Sequence, residues 1–408
     1  MEATQPLFDT GNTGFMLLAT SLVMLMTPGL AFFYGGLVGR KNVLAIMMQS
    51  FVSMGWTSVI WYICGYSLCF SGGEGGIIGN LDMAFLAGIE PTTVFAGSAR
   101  IPVLVFCAYQ MMFAIITPAL ITGAFTNRIR FPAYLIFLTV WLLFVYFPFV
   151  HMVWGGGLLA KWGVLDFAGG IVVHAIAGMA ALAAVFYVGR RRVADPGMHS
   201  IPLVALGTGL LWFGWYGFNA GSELQVDGVT AQAFLNTDTA ASFAGVTWLI
   251  LAWVLEKKPK FVGLLTGAVA GLATITPCAG YVTLHASVAI GITAGVVCYF
   301  AITFKNRLGW DDALDVWGVH GVGGILGTIL LGVFATKTIN AAGADGLLYG
   351  DSSFFVKQFV AVTAASAYGF LFTYVALWLI DRVTPVRTSE TEESAGLDEA
   401  LHGEHAYD

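Results

Sequence analysis

Residues 166–189 read DFAGGIVVHAIAGMAALAAVFYVG. From Gly169 to Gly189 every side chain is apolar, small or aromatic except His174, the one residue there that can be charged near neutral pH. About 20 mostly apolar residues cross a bilayer core as a helix, so this stretch predicts a spanning helix with an imidazole inside it. An ionisable group at such a depth costs about 2.5–3.5 kcal/mol on insertion scales and therefore points to a function. A second stretch repeats the pattern. Residues 315–324 read DVWGVHGVGG, and His320, like His174, is followed closely by glycines.

The composition of the whole chain agrees with a hydrocarbon solvent. Of 408 residues 58% are hydrophobic and 10% charged, where soluble domains carry about 45–50% and about 25%. The mean hydropathy is +0.80. The chain is therefore expected to be an all-α membrane protein with the lipid bilayer as its first partner. A net charge of −6 leaves no basic stripe for a phosphate backbone, which excludes a nucleic-acid partner. Cys64, Cys69, Cys107, Cys278 and Cys298 all lie in apolar runs and form no CxxC. They encode neither a disulfide framework nor a metal site and read as small hydrophobes; no cofactor is called for. The 51 glycines fit close helix packing in lipid.

Eleven apolar runs are long enough to span, at about 13–38, 43–70, 101–125, 132–151, 169–189, 201–221, 238–255, 262–277, 282–303, 317–335 and 357–381. The eighth is short and broken by Thr276-Pro277. Of the 18 Lys and Arg, 14 fall in connections on one face and 4 on the other. The positive-inside rule then predicts the N-terminus outside and the C-terminus inside. Glu2 and Asp9, rather than basic residues, precede the first run, which reads as a span and not a signal peptide. Residues 388–408 hold seven acids and no Lys or Arg. On composition this acidic cytoplasmic tail reads as solvated and partly disordered.

His174 and His320 stand five spans apart. If spans 1–5 and 6–10 are copies of one unit, each copy has an odd number of crossings, so the second must be inverted. The expected architecture is a 5+5 inverted repeat, about 13–189 and 201–335, with an extra helix at about 357–381, all within a transmembrane domain of residues 1–387. Inverted repeats place their site near the midplane where the halves meet, so the two histidines could face each other there. The alternatives are that each imidazole donates to a neighbouring carbonyl and merely packs helices, or that the pair ligates a haem.

Near the outer face, Tyr109 and Phe113 are four residues apart on one helix face. Trp154 and Ser222 end the fourth and sixth runs on the same side, and Phe218 lies one turn before Ser222. Aromatic faces attract cations and a hydroxyl can accept from them, so these residues predict a shallow external site for a small ammonium-like ion. Belt packing is the alternative for Trp154. Asp166, eight residues before His174, reads as a helix cap that steadies the loop, with direct cation attraction as the lesser reading.

The segments PGLAFFYGGLVGRKNVL, HMVWGGGLLAKWGVLDFAGGIVVH, GWYGFNAGS, DVWGVHGVGGILGTI and GLDEALHGEHAY resemble prokaryotic ammonium transporters of the Amt/Mep/Rh superfamily. The resemblance implies an eleven-span homotrimer in the cell membrane with one pore per subunit. Its recruitment site would fall on Trp154, Ser222, Tyr109 and Phe113, its gate on Phe113 and Phe218, its twin histidines on His174 and His320, and its vestibule acid on Asp166. Many relatives carry Phe where this chain has Tyr109. The tail is similar to a segment involved in subunit contact and in regulation by a PII signalling protein. The implied activity is ammonium recruitment, deprotonation and passage of ammonia, with the proton following or not. A sensor on the same fold is the rival; an enzyme has no nucleotide loop, cytoplasmic domain or metal constellation to support it.

Overall fold

The computed structural model describes residues 7–97, 99–193 and 197–407. Glu2 and Asp408, which entered the readings of the N-terminus and the tail, lie outside the described residues. The described chain is helical, with two isolated β-bridges, Val94 to Pro102 and Ile129 to Arg387. Among the described residues, ten helices are long and apolar enough to cross a membrane. In chain order with one shorter helix they are α1 Thr10–Leu37, α2 Arg40–Phe70, α3 Val103–Phe125, α4 Phe131–Trp162, α5 Gly170–Val188, α6 Ile201–Glu223, α7 Gly228–Glu256, α8 Phe261–Ile275, α9 Leu284–Leu308, α10 Trp317–Phe334 and α11 Ser352–Ile380. The eighth apolar run corresponds to α8, whose 15 residues stop before Thr276-Pro277 and reach only about 22 Å. A last short helix, α12, covers Glu390–Ala395.

Helix starts are set by short polar side chains that accept from otherwise unpaired amides. Asp9 caps α1 through the Asn12 amide at 2.8 Å, and Asp351 caps α11 through that of Phe354 at 3.0 Å. At α7 the Asp227 and Thr230 pair forms a capping box. That cap starts α7 ten residues before the apolar run at 238–255, because its first turns, GVTAQAFLNT, are too polar to register as hydrocarbon-soluble.

Helix faces turned outward carry exposed Leu17, Leu18, Phe213, Val246, Trp253 and Leu371, as lipid contact requires. Inward, α1 and α6 pack along their length. A Cβ on Gly207 would lie 2.2 Å from the Phe33 amide nitrogen, so only glycine permits this approach.

The basic connections gather at one end of the molecule. Arg128, fully buried, donates to the carbonyls of Gly189 (2.7 Å), Asp311 (2.7 Å) and Ala124 and pairs with the Asp311 carboxylate. Burial lowers its guanidinium from the usual arginine range to about 10, so it remains charged at neutral pH. The described part of the tail is folded onto this end rather than solvated. Arg130 pairs with Glu392 at 2.9 Å, and Arg387 pairs with the buried Glu393 at 3.2 Å. The buried Asp398 accepts from the Ala45 amide at 2.8 Å, and the Leu397 amide donates to Asn42 at 2.9 Å. Composition suggested disorder because the acidic run contains no base of its own; its partners are Arg387, just before the run, and Arg130 and the Ala45 amide, hundreds of positions away in sequence.

Candidate functional site

Between Val316 and the middle of α10, and likewise at the start of α5, the backbone widens into a π-helical turn, over Trp317–Gly321 and Gly170–Ala175. Such bulges mark functional positions in helices. Each contains one of the predicted histidines. His174 Nδ1 and His320 Nδ1 lie 3.3 Å apart, the rings are 5.2 Å apart and nearly parallel at 20°, and both are buried.

Backbone geometry makes this meeting possible. In both segments a glycine follows the histidine by four residues, Gly178 after His174 and Gly324 after His320. A Cβ on Gly178 would sit 2.0 Å from the Gly321 nitrogen, and one on Gly324 would sit 2.7 Å from the His174 Cβ. Each helix therefore crosses the other where its partner's histidine turn passes.

A second correspondence escaped the sequence reading. Asp166 precedes His174 by eight residues, and Asp312 precedes His320 by eight. The Asp166 carboxylate accepts from the amides of Gly169 (2.8 Å), Gly170 (2.7 Å), Ile171 (2.8 Å) and Val172 (3.1 Å). Asp312 accepts from Val316 (3.1 Å) and Trp317 (2.8 Å). Each acid thus binds the open N-terminal amides of a histidine-bearing helix. Burial pushes the Asp166 carboxyl above its usual range, against the four amides that hold it down. Burial likewise raises Asp312, to about 6, with Lys305 opposing. The eight-residue spacing was visible in the sequence, but Asp312 stands in an acidic cluster, Asp311 to Asp315, that masks it.

Above the histidines stands a column of rings. Phe113 and Phe218 are 4.2 Å apart at 32°, Tyr109 is 5.0 Å from Phe113, and Trp154 is 5.8 Å from Phe113, edge to face. Phe113 and Phe218 are both buried. Trp154 is fixed by its indole N–H, which donates to the Asp166 carbonyl at 2.8 Å. The Ser222 hydroxyl donates to the Phe218 carbonyl at 2.9 Å. The Tyr109 hydroxyl lies 2.9 Å from the Gly217 and Phe218 carbonyls and 3.2 Å from Ser222 Oγ. All the predicted site residues are therefore brought into one column, with Asp166 behind Trp154.

Three spaces follow the column. At the Trp154 end, the outer end on the sequence reading, a cavity of about 260 Å³ is lined by Phe113, Trp154 and Ser222, with Phe95, Phe106 and Gln110. Below Phe218 lies a lumen of only about 10 Å³, bounded by Leu30, Ile116, Val173, Trp215, His174 and His320; that is room for about one water-sized molecule. Beyond His320, at the opposite end, a cavity of about 310 Å³ is lined by Asp315, Arg191 and Thr266. Sequence reading missed Trp215, whose ring stacks on His174 at 5.5 Å while its N–H donates to Thr276 at 2.9 Å. Its position three residues before Phe218, on the same helix face, was the available signal.

Two cavities separated by a narrow, ring-lined constriction in a bundle of long apolar helices define a multi-pass membrane protein. Across residues 14–407 the chain matches, and belongs to, the Ammonium Transporter Family, a family of transporters rather than enzymes, and as a member it is placed in the cell membrane. It is 47% identical over 403 residues to an ammonium transporter of Bacillus subtilis, an alignment covering 97% of this chain and 98% of that one. Among solved structures it superposes on Mep2 of Candida albicans with a TM-score of 0.87 at 35% identity, covering 94% of this chain and 88% of the other. It is as similar, with a TM-score of 0.87 at 30% identity, to a structure described as a sensor Amt protein, covering 96% and 98% of the two chains.

Proposed function

We propose that this transporter recruits ammonium at Trp154, Ser222, Tyr109 and Phe113, strips its proton at the Phe113 and Phe218 gate, and conducts ammonia past His174 and His320. The observation that carries the reading is the lumen of about 10 Å³, in which two imidazoles are the ionisable groups among apolar walls. A bare cation entering such a space loses its hydration without replacement ligands. A buried lysine under the same penalty drops its pKa to about 5–6 by releasing its proton. Ammonium has that escape and potassium does not, so discrimination comes from the proton.

The histidine contact gives the lumen its chemistry. One Nδ1–H must donate to the other Nδ1, which leaves one Nε2 as acceptor and the other as donor. Ammonia both donates and accepts, so the pair matches it at both ends. The same shared proton offers a relay by which the released proton could follow, making transport electrogenic. Asp166 supports the site by holding the start of α5 and, through its carbonyl, the indole of Trp154.

The architecture that goes with this function has eleven crossings, α8 included, with the N-terminus outside. Two facts support an inverted repeat: first helices α1 and α6 pack together, as do fifth helices α5 and α10, and the spacing of acid, histidine and glycine recurs in both halves. A homotrimer, and contact of the cytoplasmic face with a PII-type protein, complete the reading by family resemblance.

Reconstitution in proteoliposomes tests the mechanism. Wild type is expected to take up ammonium and exclude potassium, and His174→Leu or His320→Leu to lose ammonium-selective flux or to admit potassium. Unaltered selective flux in both variants would remove the twin-histidine step. The likeness to a sensor Amt protein favours one second reading, external ammonium sensing through the folded tail. A sensor gives a brief charge displacement, whereas a transporter sustains current.

A further inference from the structure

The outer cavity contains a polar group that none of the foregoing uses. Gln110 lies on α3 one turn beyond Phe106 and one turn before Phe113, so the three side chains share a face. It is 9% exposed, it lines the cavity with Trp154 and Ser222, and its Oε1 has no hydrogen-bond partner among the described residues. A buried amide oxygen left unpaired is costly, so its retention points to a ligand that pairs with it. Its neighbours limit what that ligand can be. Phe95 and Phe106 stack at 4.1 Å to wall one side, and Phe113 and Trp154 wall the other. The side chains of the cavity wall are aromatic or aliphatic apart from the Gln110 amide and the Ser222 hydroxyl. The Ser222 proton is already given to the Phe218 carbonyl, which leaves Ser222 an acceptor.

We infer that Gln110 Oε1 is a direct ligand of the cation in the outer cavity, the second neutral oxygen beside Ser222 Oγ, and so determines affinity and selectivity at entry. The terminal amide turns about its last torsion with little resistance and presents its oxygen whenever a cation arrives. Ammonium directs four N–H bonds to separate partners: two oxygens from α3 and α6, ring faces, and water from the open side. The inference rests on the outer-site reading and extends it to the amide.

The test measures initial uptake or current in proteoliposomes against ammonium concentration for wild type, Gln110→Leu, Gln110→Glu, Trp154→Leu and Ser222→Ala. Losing one charge-assisted bond is expected to raise the half-saturating concentration of Gln110→Leu about tenfold with the maximal rate largely kept. Gln110→Glu, of nearly the same shape, should bind more tightly than wild type at pH 8 and lose that advantage only as the pH falls through the range of a glutamate, about 4.3 for a free side chain. A merely packed glutamine would give neither the split between affinity and rate nor the pH-dependent gain. Should Gln110→Leu fold poorly, the glutamate variant decides by itself: no gain in affinity at pH 8 overturns the assignment. If Trp154→Leu and Ser222→Ala shift saturation while both Gln110 variants match wild type, Gln110 is not a ligand and the outer site stands without it. If no variant shifts saturation, the outer site falls and the assignment with it.

Discussion

At the scale of single residues, the site is an arrangement of a few side chains whose polar atoms are almost all committed. Tyr109 shows how tightly. Its ring belongs to the aromatic column, and its hydroxyl is held by the last carbonyls of α6 beside Ser222. Tyr109→Phe keeps the ring and removes a buried hydrogen bond, with a cost of about 0.5–1.5 kcal/mol. The expected result is a lower apparent melting temperature in detergent and an altered half-saturating concentration, since Ser222 loses a neighbour that fixes it; identical values on both measures would separate the hydroxyl from the site. His174 and His320 were legible in the sequence because charge-bearing residues are rare in apolar runs. Gln110, Trp215 and Asp312 were not. A glutamine or tryptophan in a membrane helix is ordinary, and only the direction of its polar atom makes it informative.

At the scale of elements, hydropathy and turn chemistry were enough to locate the helices but not their detail. The run at 101–125 coincides closely with α3, whereas the run at 357–381 misses the start of α11 at Ser352 and the run at 238–255 misses the first turns of α7. Polar first turns are stabilised by caps and water, which an apolarity count does not see. Nor could periodicity disclose the π-helical turns that carry His174 and His320, since one extra residue in an apolar helix leaves no trace in its pattern. The acids that bind these helix starts carry a pH consequence. Asp312 is raised from 3.8 to about 6 by burial, so the folded protein holds its proton more tightly than the unfolded chain does. Its stabilising contribution is complete below about pH 4 and is lost as pH rises through about 6. Comparing wild type with Asp312→Asn, the stability of wild type is expected to fall relative to the variant between pH 5 and pH 7 by about 1 kcal/mol, read as a lower melting temperature. Parallel profiles would show that Asp312 does not titrate in that window.

At the scale of the whole molecule, the basic end and the tail form one unit, tied by Arg130 to Glu392, by Arg387 to Glu393 and by Asp398 to the α2 start. Such pairs are individually worth little where solvent reaches them; it is their number and the buried members that keep the segment in place. The deeper constraint lies at the centre. Where α5 meets α10, Gly178 and Gly324 admit each other's backbone with no spare distance, and Gly207 does the same for α1 and α6. These helices are meshed like gear teeth that cannot turn. A carrier that seesaws its halves about a central substrate needs slack at that seam, and here there is none. Turnover is then expected to proceed through small swings of rings in a stationary frame. Stapling α1 to α6 through an oxidised cysteine pair is accordingly expected to leave ammonium flux running, whereas a seesawing machine would stall.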